Sequence, residues 1–326
     1  MATQEDLFDS VVRRRIALER YSSTQVRLIL RFLRKLEVDL NAKVAGIPVD
    51  RKGSLVARSQ EQLLASVRDL YTDAYRRLRV LVEDDARGLA KAETEFQNSF
   101  MDKSAGLVNT KAGITATFGF NEISATQAFE IAIAKPMSGK LFATWLDELG
   151  ANAVGRIEQS LRISFAEGES LKRTAKRIAD AHDLNRRSAE AIVRTANTHV
   201  SAQIADASYD ANSDFVEGWE FVATLDSRTT LICAGLDGQI FELGTGPKPP
   251  RHINCRSTTF PKLLGIEPEK RPTYAQWLKR QSKEVQDDIL GPARGKLYRA
   301  GKITVDRFTD AKGKTLTLKQ LSKIAA

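Results

Sequence analysis

Helical periodicity runs through most of this 326-residue chain, and one stretch alone breaks it with strand and turn signals. That stretch is residues 219–261, WEFVATLDSRTTLICAGLDGQIFELGTGPKPPRHINCRSTTFP. The contrast limits the chain to a predominantly helical α+β fold that carries one small β-element. Both cysteines, one of the three histidines and one of the three tryptophans lie in this stretch, so the reactive side chains coincide with the strand signals. Residues 219–224 alternate apolar or aromatic positions with others, which predicts a half-buried strand beginning at Trp219. Residues 230–233 and 239–241 flank Leu236-Asp237-Gly238. Asp-Gly between short apolar runs predicts a hairpin, with Gly238 supplying the positive φ of the turn. A Gly-Pro-Lys-Pro-Pro loop then returns His252 and Cys255 towards Cys233.

The spacing Cys233-x18-His252-x2-Cys255 admits three readings. Zinc takes four tetrahedral Cys or His ligands in a structural site. Cys233, His252 and Cys255 would supply three, and the fourth would come from Asp226, Asp237 or His199. A Cys233–Cys255 disulfide is a second reading, although a chain made in the cytosol keeps its thiols reduced. The third is a pair of small buried thiols, with His252 hydrogen-bonded to local backbone to hold the loop. This last reading is the expectation, so no cofactor is expected beyond the alternative of a structural zinc.

Around this stretch the apolar positions recur at helical spacing. Ile16, Val26, Ile29, Leu33, Leu36 and Leu40 predict two helices over residues 5–40, parted near Tyr21-Ser22-Ser23. Gly46-Ile47-Pro48 and Lys52-Gly53-Ser54 predict a loop. Leu63, Val67, Leu70, Ala74, Leu78 and Leu81 predict a long helix over residues 59–100, while residues 104–135 read as a connector or short helices. Leu141, Trp145, Leu149, Val154, Ile157 and Leu161 stripe the first of three further helices. The second, over Leu171, Ala175 and Ile178, ends near residues 181–185. The third spans residues 187–210, with His199 beside its apolar face. Beyond Pro261, Thr273-x-x-Gln276 has the form of a capping box and opens a helix that runs to Gly291-Pro292. Tyr298-Arg299-Ala300-Gly301 predicts a short helix with a glycine end, and Thr317-x-x-Gln320 caps a terminal turn. These patterns divide the chain into an N-terminal helical region (1–135), a three-helix plus β-hairpin domain (136–262) and a helical C-terminal arm (263–326) held by Trp277, Leu290 and Phe308.

Charge singles out the last of these. Residues 256–326 hold 16 Lys or Arg against 7 Asp or Glu, leaving 34 of each in residues 1–255, so the whole net charge of +9 sits in the final fifth. Such an excess suits phosphate contact and an acidic protein surface about equally. No apolar run approaches the length that crosses a bilayer. The opening MATQEDLFDSVVRRR has no apolar h-region of a secretory signal. No phosphate loop, nucleophile elbow or H-E-x-x-H motif is present. His252-Ile253-Asn254 is a weak match to a His/Asn nuclease site, whose metal would need further His or Asp ligands.

Trp219, the D-x-R-T of residues 226–229, Cys233, the L-D-G of residues 236–238 and P-P-R-H-x-x-C-R resemble the head-morphogenesis domain of Mu F-like minor head proteins of tailed bacteriophages. The resemblance covers residues 139–261, and Tyr274-x2-Trp277-Leu278-x2-Gln281 with Leu290-Gly291-Pro292-x-Arg294 extends it. It implies a minor capsid protein in the virion, at the capsid interior or portal vertex after assembly in the host cytoplasm. Its implied partners are the portal protein, with scaffolding or major capsid protein as further candidates, and its implied roles are head assembly, DNA packaging or DNA ejection. Packaged double-stranded DNA is one candidate partner of the basic arm, an acidic protein surface being the other, and no membrane is expected during assembly. The alternatives are a DNA-binding packaging or ejection module, or a metal-dependent nuclease; an enzyme is not expected. Under the first reading Trp219, Asp226, Thr229, Asp237, Gly238 and Arg256 are structural motif residues, as are the cysteines and His252.

Overall fold

The computed structural model describes residues 2–46, 60–111, 113–268, 270–310 and 314–325. Among them the chain forms α1 (Gln4–Ala45), α2 (Gln60–Asn109), α3 (Ala125–Ala134), α4 (Phe142–Ala166), α5 (Leu171–Ala211), β1 (Val216–Val222), α6 (Leu231–Leu236), β2 (Ile240–Glu242) and β3 (Thr258–Leu263). Then come α7 (Tyr274–Lys279), α8 (Lys283–Leu290), α9 (Pro292–Arg299), a 3-10 turn (Val305–Phe308) and α10 (Leu318–Ala325). The architecture is predominantly helical α+β, as expected.

Two compact units emerge from the contacts. One comprises residues 20–89 and 133–197. Its buried side chains include Leu33, Leu40, Tyr71, Leu78, Ile157, Leu161 and Ile178, which fall at helical spacing along α1, α2, α4 and α5. The other comprises residues 1–19, 90–132 and 198–326 and holds the sheet. This is a grouping by contact, whereas the division at 135/136 and 262/263 groups residues by sequence pattern.

In the sheet-bearing unit, β1 is the central strand of an antiparallel order β2-β1-β3. Trp219 stands opposite Phe241 on β2 and Pro261 on β3. Pro261 is tolerated because β3 is an edge strand and owes no hydrogen bond on its outer side. Gly218 lies beside an irregularity in the β1–β3 register, and a Cβ there would overlap the carbonyl oxygen of Phe241. Leu7, Phe100, Tyr209, Phe215, Trp219, Phe221 and Phe260 form the core around this sheet. A second cluster of Ala234, Tyr274, Leu278, Leu290, Ile303, Val305, Phe308 and Leu321 joins α6 to the C-terminal helices.

Several expectations are corrected. No interruption occurs at Tyr21-Ser22-Ser23, because α1 is continuous; Ser22 is buried and its hydroxyl accepts from Asn197 Nδ2 at 3.0 Å. Likewise α5 does not stop near residues 181–185. His182 Nε2 lies 3.0 Å from the Leu33 carbonyl, and Asn185 Oδ1 accepts from Arg156 Nη1 at 2.9 Å. Those polar residues resemble a helix stop in sequence, but they are buried partners inside a helix. Residues 230–233 form the start of α6 and not a strand, so the hairpin around Asp237-Gly238 does not form. Gly238 has φ +80° and follows the last helical positions, where a left-handed glycine ends a helix. The sheet gains β3, which the sequence pattern does not announce, and the helix expected after Thr273 is two, α7 and α8, with Ser282 capping the second. Residues 104–109 lie within α2, and the connector beyond it includes α3. The capping boxes at Thr273/Gln276 and Thr317/Gln320 both form. The loop expected at residues 46–54 lies, past Gly46, outside the described residues.

Candidate functional site

Cys233 sits in the middle of α6, whose N-cap residue Thr230 has extended backbone (φ −70°, ψ 155°). The loop after β2 returns to it and closes in a tight turn, in which the Cys255 amide donates to the His252 carbonyl at 3.2 Å. Asn254 takes a left-handed φ of +61° within that turn, a conformation Asn tolerates better than most residues. The result places Cys233 Sγ 3.3 Å from His252 Nε2 and 3.8 Å from Cys255 Sγ. All three ligand-type atoms lie within 4.8 Å of one another, and both cysteines are buried and reduced. His252 Nδ1 lies 2.8 Å from the Ile253 carbonyl, to which it donates. The Cys255 carbonyl accepts from Thr198 Oγ1 at 2.8 Å and from Arg15 Nη2 at 3.4 Å, which anchors the turn to α5 and α1 within the same unit. A hydrogen bond from Cys233 holds the Cys255 thiol well below its ordinary range against the opposing effect of burial, with further help from His252. The same bond, together with burial, pushes Cys233 up.

Of the three fourth ligands considered from sequence, none joins this group among the described residues. Asp226 is held by Arg256, whose Nη1 and Nη2 donate to its two carboxylate oxygens at 2.6 and 2.7 Å. Burial opposes ionisation of Asp226, but this bidentate pair outweighs it and keeps the carboxyl below its usual range. The Asp237 side chain is wholly buried and accepts from the Ala223 amide (2.7 Å), the Tyr274 amide (2.6 Å) and Arg271 Nη2 (2.9 Å). His199 Nε2 lies 2.8 Å from the Ala132 carbonyl.

The other motif residues assemble a junction beside the thiols. Thr229 Oγ1 lies 3.3 Å from Asp226 Oδ1, and the Arg228 amide donates to that same oxygen at 3.0 Å, so the D-x-R-T segment closes on its own aspartate. Tyr274 Oη donates to the Asp226 carbonyl at 3.1 Å. Arg271 joins Asp237 to Glu220 on β1 at 2.7 Å, and burial of Glu220 raises its carboxyl despite that cation. Trp219 is fully buried, stacks on Phe241 with ring centroids 4.8 Å apart and donates from Nε1 to the Thr245 carbonyl at 3.2 Å. The Gly238 amide donates to the Phe221 carbonyl at 2.9 Å, tying the end of α6 to β1.

Sequence reasoning missed Arg271, Thr198 and Arg15, and it gave Tyr274 no partner. Arg271 precedes a recognisable capping box and Tyr274 lies within it, yet nothing in their spacing shows that their partner is an aspartate more than thirty residues earlier. Thr198 and Arg15 lie on helices whose patterns report only helicity.

The segment that holds this geometry has a family. Residues 155–260 match the model described as phage Mu protein F like protein. The match covers about a third of the chain and supports a phage head-morphogenesis family for that segment. The family is one of phage head morphogenesis, which supports a bacteriophage head protein associated with the virion. No curated protein and no solved structure matches the chain significantly. The Mu F-like segment starts inside α4 and ends within β3. It contains Cys233, His252, Cys255, Asp226, Asp237 and Arg256 but not Arg271 or Tyr274.

Proposed function

We propose that the protein is a minor head component of a tailed phage that associates with the portal and acts in head assembly, DNA packaging or DNA ejection, with no enzymatic step of its own. The match of residues 155–260 to the Mu F-like family carries this reading. Its motif residues support a scaffold role, because Asp226, Asp237, Arg256 and Gly238 spend their hydrogen bonds on neighbouring backbone and side chains. Native mass spectrometry of the full chain co-expressed with the portal protein of its phage tests it. A complex of defined stoichiometry is expected; a monomer indifferent to the portal would refute the portal role.

A second reading, direct contact with packaged duplex, is favoured by the placement of the C-terminal cations. Lys279, Arg280, Lys283, Lys296, Lys302 and Arg307 are all exposed. Cations that neutralise phosphates release counterions, giving log K a slope of about −0.9 per phosphate against log salt. A duplex titration at rising salt should show such a slope, and absence of binding at low salt would remove this reading.

A further inference from the structure

We propose that Cys233, His252 and Cys255 bind one zinc ion, with the fourth coordination position left to a solvent molecule. Zinc–sulfur bonds of about 2.3 Å and zinc–nitrogen bonds of about 2.0–2.1 Å in a tetrahedron set sulfur–sulfur edges of about 3.8 Å and sulfur–nitrogen edges of about 3.5 Å. The protein places its sulfurs 3.8 Å apart and the Cys233 sulfur 3.3 Å from His252 Nε2. A disulfide would require the sulfurs to approach to about 2.05 Å, far inside the distance they keep.

The histidine is prepared for the same role. A ligating imidazole ordinarily donates its other ring N–H to a carbonyl or carboxylate, which fixes the ring and turns the remaining nitrogen to the metal. His252 Nδ1 makes that bond to the Ile253 carbonyl at 2.8 Å, and Nε2 faces the sulfurs. The backbone of the second thiol is fixed in turn by Thr198 through the Cys255 carbonyl. Two thiolates and an imidazole are soft donors that favour zinc over magnesium or calcium.

No fourth His, Cys, Asp or Glu joins the group among the described residues. Beside it lies a cavity of about 10 Å³ lined by Thr224, Thr230, Cys233, His252, Asn254 and Arg256, room for about one water molecule. On binding, both sulfurs coordinate as thiolates, any thiol proton passes to solvent, and no electron moves. The ion would fasten α6 to the turn that precedes β3, in place of the hydrogen bonds that Cys233 makes there without it. This assignment rests on local geometry and is independent of the portal reading.

The test uses the full chain purified without chelators from zinc-supplemented cells. Elemental analysis should find about one zinc per chain, the complement of a single site. Cys233→Ser, Cys255→Ser and His252→Gln should each lose it. Cobalt(II) added to the chelator-stripped wild type should give tetrahedral d–d bands and a thiolate-to-cobalt charge-transfer band. That spectrum is decisive even if the variants fail to fold. Trace zinc with no cobalt–thiolate band would overturn the proposal. So would a full zinc complement in a folded Cys233→Ser/Cys255→Ser variant, or loss of two hydrogens from the intact mass through a disulfide.

Discussion

Replacing Asp237 by alanine tests whether the motif residues hold the C-terminal helices onto the Mu F-like segment. The carboxylate is wholly buried, and Arg271 beside it is 8% exposed. Truncation removes the acceptor for the Ala223 and Tyr274 amides and one of the two anions facing Arg271. Breaking a buried ion pair costs about 3–5 kcal/mol. Each buried donor left without an acceptor adds about 1–3 kcal/mol. Glu220 remains 2.7 Å from Arg271 and offsets part of that loss. Because these contributions share one site they do not add, and a total of about 3–5 kcal/mol is expected for Asp237→Ala. Asp237→Asn keeps the volume and one acceptor, so about 1–3 kcal/mol is expected for it. Urea unfolding of the full chain gives the total, and amide hydrogen exchange locates it. The amides of α7 and of the 3-10 turn Val305–Phe308 should lose protection first, since the second core cluster spans them. An alanine variant within about 1 kcal/mol of wild type, with unchanged exchange in α7, would refute the reasoning.

Gly238→Val places a β-branched residue at φ +80°, with its Cβ 3.1 Å from Thr273 Cγ2, and should cost about 1–2 kcal/mol in thermal or urea unfolding. An unchanged melting temperature would contradict this. In the other unit, Arg177 and Ser164 hold the Glu169 carboxyl down at about 2. Because the folded value is depressed below the unfolded value of about 4.3, the stabilisation is present above that value and is lost as pH falls towards 2. The stability difference between wild type and Glu169→Gln should therefore be flat above pH ~5 and shrink as pH falls from ~4.3 to ~2; a pH-independent difference would refute the assignment. Cutting the chain after Leu264 removes Arg271, Tyr274 and most of the second core cluster. The remainder should aggregate or melt well below the full chain, and an equal melting temperature would show that the C-terminal helices are merely appended.

The helices were legible where apolar residues recur with the right period, as from Leu63 to Leu78 and from Leu149 to Leu161, although Leu81 and Leu141 at the ends of those stripes are exposed. They were misread where polar residues are buried: Ser22, His182 and Asn185 look like helix stops and are instead hydrogen-bonded inside α1 and α5. Residues 230–233 show the limit of a short apolar run, which fits a strand or a helical turn equally until its neighbours decide. Gly238 was recognised as a positive-φ position, but the same property serves a hairpin turn or a helix end, and here it ends α6. The convergence of Cys233, His252 and Cys255 was legible as spacing. The partners of Asp226 and Asp237 were legible only in part, because pairing over thirty residues leaves no periodic trace.

Three devices meet here: the Asp226–Arg256 pair, the Asp237 acceptor site and the thiol–imidazole group. Cys255 and Arg256 are adjacent, so the loop that brings one sulfur to the other also delivers the guanidinium to Asp226. Asp226 in turn accepts the Tyr274 hydroxyl through its carbonyl, and Asp237 accepts the Tyr274 amide. A displacement of the 252–256 turn would therefore be felt at α7 through two hydrogen bonds and one ion pair. The family match stops at residue 260, yet Asp237 inside it takes donors from residues 271 and 274 outside it. The basic C-terminal helices are thus built onto the Mu F-like segment at a buried polar junction.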